Sequence, residues 1–294
     1  YYDSVSLVGY LNNGVLDTIG VKIEFNTTTY KTRLFAIDSS GAEETTSLLD
    51  ISFDYEMKCG ESNIGKSEKV IIEYCAYECT EKKKQNNVKW RKWPVKGGIY
   101  TTYLDFDKPG YWKINFSYSV DEISYYAESA VTVKSKTEAP NIGEKAPITN
   151  TKTAQTIEEL KQISSTVEPD LRLYKNNLVN SLANNRPIII SFSTPGFCFT
   201  KTCGPQINAL SLLADKYSNN IDFIHVEIFD NPNEMVLSGD YSVGKQAKII
   251  FDWELATEPW TFFINNNGTI TDRFEGFVTI EEIEESMKSS PIYQ

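Results

Sequence analysis

Short apolar runs broken by turn-forming residues dominate the first 134 positions of the chain. The runs are rich in β-branched and aromatic residues and show no helical period, a pattern typical of strands. The predicted strands cover 21–25, 33–37, 69–77, 100–106, 111–118 and 124–133. The clearest hairpin prediction joins 103–106 to 111–116 through a turn of sequence Asp-Lys-Pro-Gly. Strands at this spacing indicate a two-sheet β-sandwich over residues 1–134.

The pattern changes after residue 134. Residues 135–156 mix prolines, glycine and polar residues without any period, which predicts a linker. Beyond it, apolar runs at strand spacing alternate with runs at helical spacing. The predicted elements are helices at 156–163, 174–183, 203–217 and 279–287, strands at 188–193, 222–228, 260–264 and 270–274, a polar loop after 228 and an Asn-Gly turn at 266–268. This alternation predicts an α/β domain over 157–290, with a central mixed sheet flanked by helices.

Length and charge narrow the classes of function. At 294 residues the chain exceeds one typical domain, so we expect two, an immunoglobulin-like sandwich followed by the α/β domain. A net charge of −11 with a single histidine argues against a nucleic-acid partner, which needs a basic face. No apolar run approaches the roughly 18 residues of a membrane span. Because the chain begins at Tyr1 without an initiator methionine, we expect an extracytoplasmic protein, with membrane association only through a partner or a removed anchor.

Cysteine usage agrees with export. Cys59, Cys75 and Cys79 fit an oxidising compartment in which one pair closes, and their pairing stays open. Three cysteines without a neighbouring histidine fall short of a zinc site, so we expect no metal there. N-glycosylation sequons begin at Asn26, Asn115 and Asn267. Such sites are used only in an exported protein, which would then be a glycoprotein.

The most informative stretch joins an apolar strand to two cysteines and then to an amphipathic helix. Cys198 and Cys203 follow the apolar run 188–192, and Pro205 suits the first turn of the helix, where its missing N–H needs no partner. Unpaired backbone N–H groups and the helix dipole favour a thiolate at a helix N-terminus, and Lys201 adds a positive charge. The sequence therefore predicts thiol-disulfide chemistry at the two cysteines.

Residues 185–290 resemble the thioredoxin-like superfamily. The matching motifs are the strand, cysteine turn and helix just described, the stretch 256–268 and the stretch 273–276. The whole chain is similar to exported thioredoxin-domain proteins that carry a β-sandwich in front and two cysteines separated by four residues. The resemblance implies that Pro259 is cis beside the reactive cysteine, an uncommon geometry. It also implies that Glu258, Pro259 and Trp260 bind an extended peptide of a protein substrate.

The chain departs from the superfamily at two positions of the expected site. The usual Cys-Gly-Pro-Cys motif ends here in Gln206, and the second cysteine lies upstream. Either Cys203 takes the place of the nucleophile with Cys198 as its partner, or Cys198 takes it and the turn carries an insertion. The buried aspartate that accepts a proton in many thioredoxins falls near Ser191. Proton transfer would then need water or another carboxylate.

Two functions from different classes stay open at this point. The first is an extracytoplasmic thiol-disulfide oxidoreductase that acts on protein disulfides through Cys198 and Cys203, without a cofactor. The second is a non-enzymatic cell-surface or complex-associated protein, in which the same disulfide is structural and an extracytoplasmic partner binds the scaffold. The missing aspartate and the missing Cys-x-x-Cys spacing favour the second function.

Other residues carry weaker patterns. Thr200 has the spacing to the following cysteine that peroxiredoxins use, and Arg273 could supply their cation, but the proline of that motif is missing. His225 lies inside an apolar strand and is expected to be a hydrogen-bonded core residue rather than a base. The acidic stretches 252–258 and 281–285 are expected to be solvated faces.

Overall fold

A computed structural model gives the architecture of the chain. It describes residues 10–12, 15–16, 20–25, 30–38, 50–57, 61–63, 71–73, 83–85, 89–92, 98–106, 110–120, 123–133, 137–198, 202–290 and 292–293. The chain divides into two compact units, one of residues 1–92 and 96–137 and one of residues 93–95 and 138–294.

The elements described in the first unit are all strands. They are β1 (Tyr10–Asn12), β2 (Val15–Leu16), β3 (Gly20–Phe25), β4 (Tyr30–Asp38), β5 (Asp50–Met57), β6 (Glu61–Asn63), β7 (Ile71–Glu73), β8 (Lys83–Gln85), β9 (Lys89–Lys92), β10 (Gly98–Phe106), β11 (Gly110–Val120) and β12 (Ile123–Val133). One sheet has the order β2-β1-β4-β10-β9, with β3 also paired to β4; a second has the order β12-β11-β5-β8, and β6 pairs with β7. The immunoglobulin-like form of the sandwich stays a prediction.

The hairpin predicted between 103–106 and 111–116 is wrong. β10 pairs along its two edges with β4 and β9, whereas β11 pairs with β5 and β12. Both edges of β11 are occupied along residues 112–119, so β11 cannot also pair with residues 103–106 of β10. β5 is absent from the predicted strands. Cys59, Cys75 and Cys79 lie outside the described residues.

The second unit contains a four-stranded mixed sheet. Its strands are β13 (Ile188–Ser193), β14 (Asp222–Glu227), β15 (Trp260–Ile264) and β16 (Ile270–Glu275). Its helices are α1 (Ile157–Ile163), α2 (Leu178–Ala183), α3 (Cys203–Tyr217), α4 (Pro232–Ser238), α5 (Lys248–Asp252) and α6 (Ile280–Ser289), and short 3-10 helices lie at Leu171–Tyr174, Pro195–Phe197 and Tyr241–Val243. The strand order is β14-β13-β15-β16, with β13 parallel to β14 and the other pairs antiparallel. The prediction of a mixed sheet with helices is confirmed.

The apolar residues of β13 alternate between two cores, one on each face of the sheet. Ile188, Ile190 and Phe192 pack with residues of β15 and with Trp253 in the first core. Ile189 packs with residues of α1, α3 and α6 in the second core. All six residues of β13 are buried, so the strand is covered on both faces and is fixed in the centre of the domain.

The segment between β14 and β15 is not the polar loop that its sequence predicts. It contains α4 and α5, and the buried residues Ile249, Ile250 and Trp253 attach it to the first core. These apolar residues are too few and too closely spaced to show a helical period, which is why the pattern predicts a loop.

Most of the segment predicted as a linker packs on the second unit. Gly143 N–H donates to Ile270 O at 2.8 Å, and Ile270 N–H donates to Glu144 O at 2.9 Å, so the segment pairs with the edge strand β16. Ala139 and Ala146 are buried in the first core. Small residues and backbone hydrogen bonds carry this attachment, and neither produces a hydrophobic period in the sequence.

Candidate active site

The two cysteines lie at the junction of β13 and α3, where they form a disulfide. Cys198 follows the 3-10 turn Pro195–Phe197 and Cys203 begins α3, with 6.0 Å between their Cα atoms. Cys203 is fully buried, whereas Cys198 is half-buried. Cys198 is therefore the more accessible of the two cysteines to an incoming sulfur.

The N-terminus of α3 acts on Cys198. The Cys203 N–H lies 3.3 Å from Cys198 Sγ and points at it as a hydrogen-bond donor. The first N–H groups of a helix lack partners within the helix, and they carry the positive end of its dipole. After reduction of the disulfide, this contact would favour the thiolate form of Cys198.

A carboxylate lies beside the buried sulfur. Glu258 Oε2 is 3.6 Å from Cys203 Sγ and accepts a hydrogen bond from Thr194 N–H. Burial and, to a smaller extent, the negative charge of Glu227 together raise the pKa of Glu258 to about 7. A carboxyl with such a pKa can take or give a proton near neutral pH, which is what a buried cysteine requires when it changes between thiol and disulfide.

The peptide bond between Glu258 and Pro259 is cis, which confirms the prediction. Pro259 is buried, and its carbonyl accepts a hydrogen bond from Gly276 N–H at 2.6 Å. Trp260 is only 4% exposed; its ring stacks on Phe262 at 5.4 Å. The Trp260 side chain therefore lies in the core, which leaves Glu258 as the predicted docking residue with a side chain near the disulfide.

A second buried carboxylate, Glu227 at the end of β14, contacts the turn before Cys198. Its Oε2 accepts hydrogen bonds from Ser165 N–H and Ser165 Oγ, both at 2.8 Å. Ser165 Oγ in turn accepts a hydrogen bond from Gly196 N–H at 3.0 Å. Burial raises the pKa of Glu227 to about 7. The Thr194 hydroxyl lowers the pKa of Glu227 and that of Glu258. It forms no hydrogen bond of normal geometry with either carboxyl group.

A family model described as the thioredoxin-like domain matches residues 174–290. Residues 174–290 form a thioredoxin-like domain. Among solved structures, the one described as a thiol:disulfide interchange protein DsbE from Chlorobium tepidum aligns with a TM-score of 0.36 and 12% identity, over 51% of this chain and 98% of that one. StoA from Bacillus subtilis aligns with a TM-score of 0.30 and 18% identity, over 42% of this chain and 94% of that one. No curated protein sequence matches the chain.

Two other predicted residues lie in the interior of the thioredoxin-like domain. Ser191, at the position near the usual buried aspartate, is fully buried and accepts a hydrogen bond from Thr261 Oγ1 at 3.2 Å. His225 is 1% exposed; its Nδ1 lies 2.6 Å from Tyr174 Oη and its Nε2 lies 3.1 Å from Ser193 O. Burial lowers the pKa of His225 to about 4, so the neutral ring is a hydrogen-bonded core residue, as predicted.

The cation proposed for a peroxidase site does not lie at the surface. Arg273 is fully buried and its Nη1 donates to the carbonyls of Ala139 and Pro140 at 3.0 and 2.9 Å. Its guanidinium lies over the Trp260 ring at 5.5 Å. Arg273 therefore attaches the segment before α1 to the sheet, and Thr200 lies outside the described residues.

The expectation that the acidic stretches are solvated is wrong for two of their residues. Glu258 contacts Cys203 and Thr194 as described above. Glu282 is 2% exposed and forms a capping box with Thr279 at the start of α6. Glu227, which the sequence analysis did not single out, is the last residue of the apolar strand β14; a carboxylate in that position is a signal of a buried polar site.

Within residues 137–198, 202–290 and 292–293, no three His, Cys, Asp or Glu side chains are grouped closely enough to hold a metal ion. None of the helices described is long and apolar enough to cross a membrane.

Two glycines that flank the disulfide, one in the turn before Cys198 and one in α3, provide a matched test of the packing. A Cβ on Gly196 would lie 2.6 Å from Ser165 O, whereas a Cβ on Gly204 would meet nothing within 4 Å. We expect Gly196→Ala to lower the free energy of unfolding by about 1–3 kcal/mol, since the turn must move away from Ser165. Gly204→Ala should leave it unchanged or raise it by about 0.5 kcal/mol. Denaturant unfolding of the oxidised proteins measures both, and equal effects of the two changes would contradict this packing.

Proposed function

We propose that this protein is an extracytoplasmic thiol-disulfide oxidoreductase that acts on protein disulfides through Cys198 and Cys203. The observation that carries the proposal is the asymmetry of the disulfide: the accessible sulfur of Cys198 faces the N-terminus of α3, and the buried sulfur of Cys203 lies beside Glu258. This arrangement favours the alignment in which Cys198 takes the place of the nucleophile.

The reaction begins with the reduced protein. The Cys198 thiolate attacks one sulfur of a substrate disulfide, forms a mixed disulfide and releases the other substrate sulfur as a thiolate. Cys203 then passes its proton to Glu258, and its thiolate attacks Cys198 Sγ. The Cys198–Cys203 bond closes, the second substrate thiolate leaves, and the substrate is reduced while the protein is oxidised. A dithiol reductant must return the protein to its starting state.

Substrate docking is assigned to the surface around Cys198. Phe197 is half-buried, and its ring lies 6.4 Å from that of Tyr241, which is 43% exposed. Burial and the charge of Glu258 raise the pKa of Tyr241. We propose that these two rings and the backbone at Glu258 and Pro259 hold an extended peptide, with Trp260 supporting Pro259 from the core.

The domain boundaries and location belong to the same proposal. We assign an immunoglobulin-like sandwich to residues 1–134 and the catalytic thioredoxin-like domain to 157–290. A closed disulfide and three further cysteines fit an oxidising compartment, which supports an extracytoplasmic location.

Reduction of insulin by a dithiol tests the proposed function. We expect the wild-type protein to accelerate it and Cys203→Ser to give no turnover, because that variant cannot resolve the mixed disulfide. If the wild type is no faster than Cys203→Ser, the disulfide is structural and the protein belongs to the non-enzymatic class. A reduction potential near or below about −300 mV would support the same conclusion, since such bonds resist exchange.

A further inference from the structure

The turn that carries Cys198 rests on a buried carboxylate through one serine. Gly196 N–H donates to Ser165 Oγ at 3.0 Å, and Ser165 donates to Glu227 Oε2 from both its hydroxyl and its backbone N–H. The contact is close, because a Cβ on Gly196 would collide with Ser165. Ser165 is 4% exposed and Glu227 is 6% exposed, so the two bonds between them are largely shielded from water. Glu227 therefore restrains the cysteine turn from outside the strand and helix that carry the sulfurs.

Glu227 also acts on the site through its charge. Two carboxylates lie at the base of the disulfide loop: Glu258 accepts from Thr194 N–H, two residues before Gly196, and Glu227 reaches Gly196 through Ser165. The charge of Glu227 raises the pKa of Glu258. A buried carboxylate and a partly buried one that repel each other do not both ionise easily.

The remaining surroundings of Glu227 leave this repulsion largely uncompensated. Glu227 lines a cavity of about 290 Å³, whose other ionisable lining residues are Lys152, Tyr174, His225, Asp230 and Lys248. Lys152 lowers the pKa of Glu227, but its Nζ is 3.0 Å from Asp230 Oδ1. The second oxygen of Glu227, Oε1, is buried and makes no hydrogen bond within the described part of the chain. One oxygen of this carboxylate is therefore committed to the turn, and the other lacks a hydrogen bond of normal geometry.

We propose that Glu227 is a positioning residue of the disulfide site: it fixes the Cys198 turn through Ser165, and its negative charge repels that of Glu258. The inference rests on the proposed function, because it assigns Glu227 a part in the same exchange reaction. Glu227 thus has two separate effects on the site. The hydrogen bonds to Ser165 hold the sulfurs of Cys198 and Cys203 together, and the charge determines the pH at which the proton of Cys203 can leave.

Two substitutions separate the effects in the full-length protein. Glu227→Gln keeps an oxygen that accepts from Ser165 but removes the charge. Ser165→Ala removes the bridging hydroxyl but keeps the Glu227 carboxyl group, whose pKa rises with the loss of this hydrogen bond. Glu168→Gln, at an exposed carboxyl, is the matched control. Thermal melts followed by circular dichroism establish that each variant is folded.

The first measurement is the alkylation rate of Cys198 in the reduced protein against pH, with iodoacetamide and site-resolved mass spectrometry. Removing the charge makes ionisation of Glu258 and Cys198 easier, so we expect Glu227→Gln to shift the midpoint to lower pH by about 0.5 unit or more. Glu168→Gln should keep the wild-type midpoint, and Ser165→Ala should shift it less than Glu227→Gln does, because the carboxyl group is still present. An unshifted midpoint in Glu227→Gln overturns the charge effect.

The second measurement is the equilibrium constant for closing the Cys198–Cys203 disulfide against glutathione. We expect Ser165→Ala to lower it about three- to tenfold, the effect of one lost hydrogen bond on the oxidised turn. If the equilibrium constant of Ser165→Ala equals that of the wild type, the positioning effect is overturned. If Glu227→Gln does not fold, this measurement alone decides whether Glu227 positions the turn. Neither readout needs a substrate. Failure of the wild type to reduce insulin therefore counts against the proposed function, whereas unchanged values in an active protein count against Glu227 alone.

Discussion

Cys203→Ser will accumulate a covalent complex between Cys198 and a substrate disulfide. The accessible Cys198 thiolate can still attack, but the buried thiol that closes the internal disulfide is gone, so the mixed disulfide has no rapid route to products. We expect turnover to fall by about a hundredfold or more, because the second attack within one molecule is favoured by a high effective concentration. Non-reducing electrophoresis after incubation with insulin, followed by mass spectrometry of the linked peptides, measures the complex.

Cys198→Ser is the matched control. Cys203 is fully buried at the start of α3, so a protein disulfide cannot reach its sulfur, and no complex should form. A complex linked through Cys203 in this variant would reverse the assignment and restore the alternative in which Cys203 is the nucleophile. A complex in neither variant would leave the proposed exchange reaction without its first step.

Trp253→Ala will produce the largest loss of stability that we predict for the second unit. Trp253 is fully buried at the end of α5, with its ring 4.8 Å from Phe192 and 4.9 Å from Phe262. Truncating a buried aromatic side chain to alanine costs about 3–5 kcal/mol, since it removes apolar contact and leaves a cavity. Phe192 lies in β13, the strand that leads to Cys198, so the loss affects the support of the site.

Phe251→Ala is the control for this change. Phe251 lies two residues earlier in the same helix and is 64% exposed, so its truncation should cost less than about 0.5 kcal/mol. Denaturant unfolding followed by the helical circular dichroism signal reports on the second unit, because the helices described all lie there. Similar midpoints for the two variants would show that the α5 segment is not part of the core.

Elements whose own residues determine their structure could be predicted from the sequence. β13 and β15 have the predicted bounds, and α3 ends where its apolar spacing ends. A strand buried on both faces reads as an unbroken apolar run, and a long helix repeats its apolar positions often enough to be recognised. The cis peptide bond before Pro259 was predicted from the family resemblance. The local sequence pattern alone could not have predicted it.

Features that depend on distant partners could not be predicted. The alternating polar and apolar residues of β5 are a strand signal that the sequence analysis missed, but its place inside the sheet depends on neighbours far along the chain. Glu258 appears as one charge in an acidic stretch, and only the fold brings it to Cys203, which is 55 positions away. Glu227 contacts Ser165 across 62 positions. Burial of a carboxylate is a property of such long-range contacts, and its own sequence neighbours do not reveal it.

The attachment of the segment before α1 has a practical consequence for dissecting the protein. A fragment cut at residue 157 would lose the backbone that covers β16 and the two carbonyls that accept from Arg273, and would expose a strand edge beside a desolvated cation. Such a fragment is prone to aggregate. A fragment that starts at residue 138 keeps these partners and is the one suited to recombinant production of the isolated C-terminal unit.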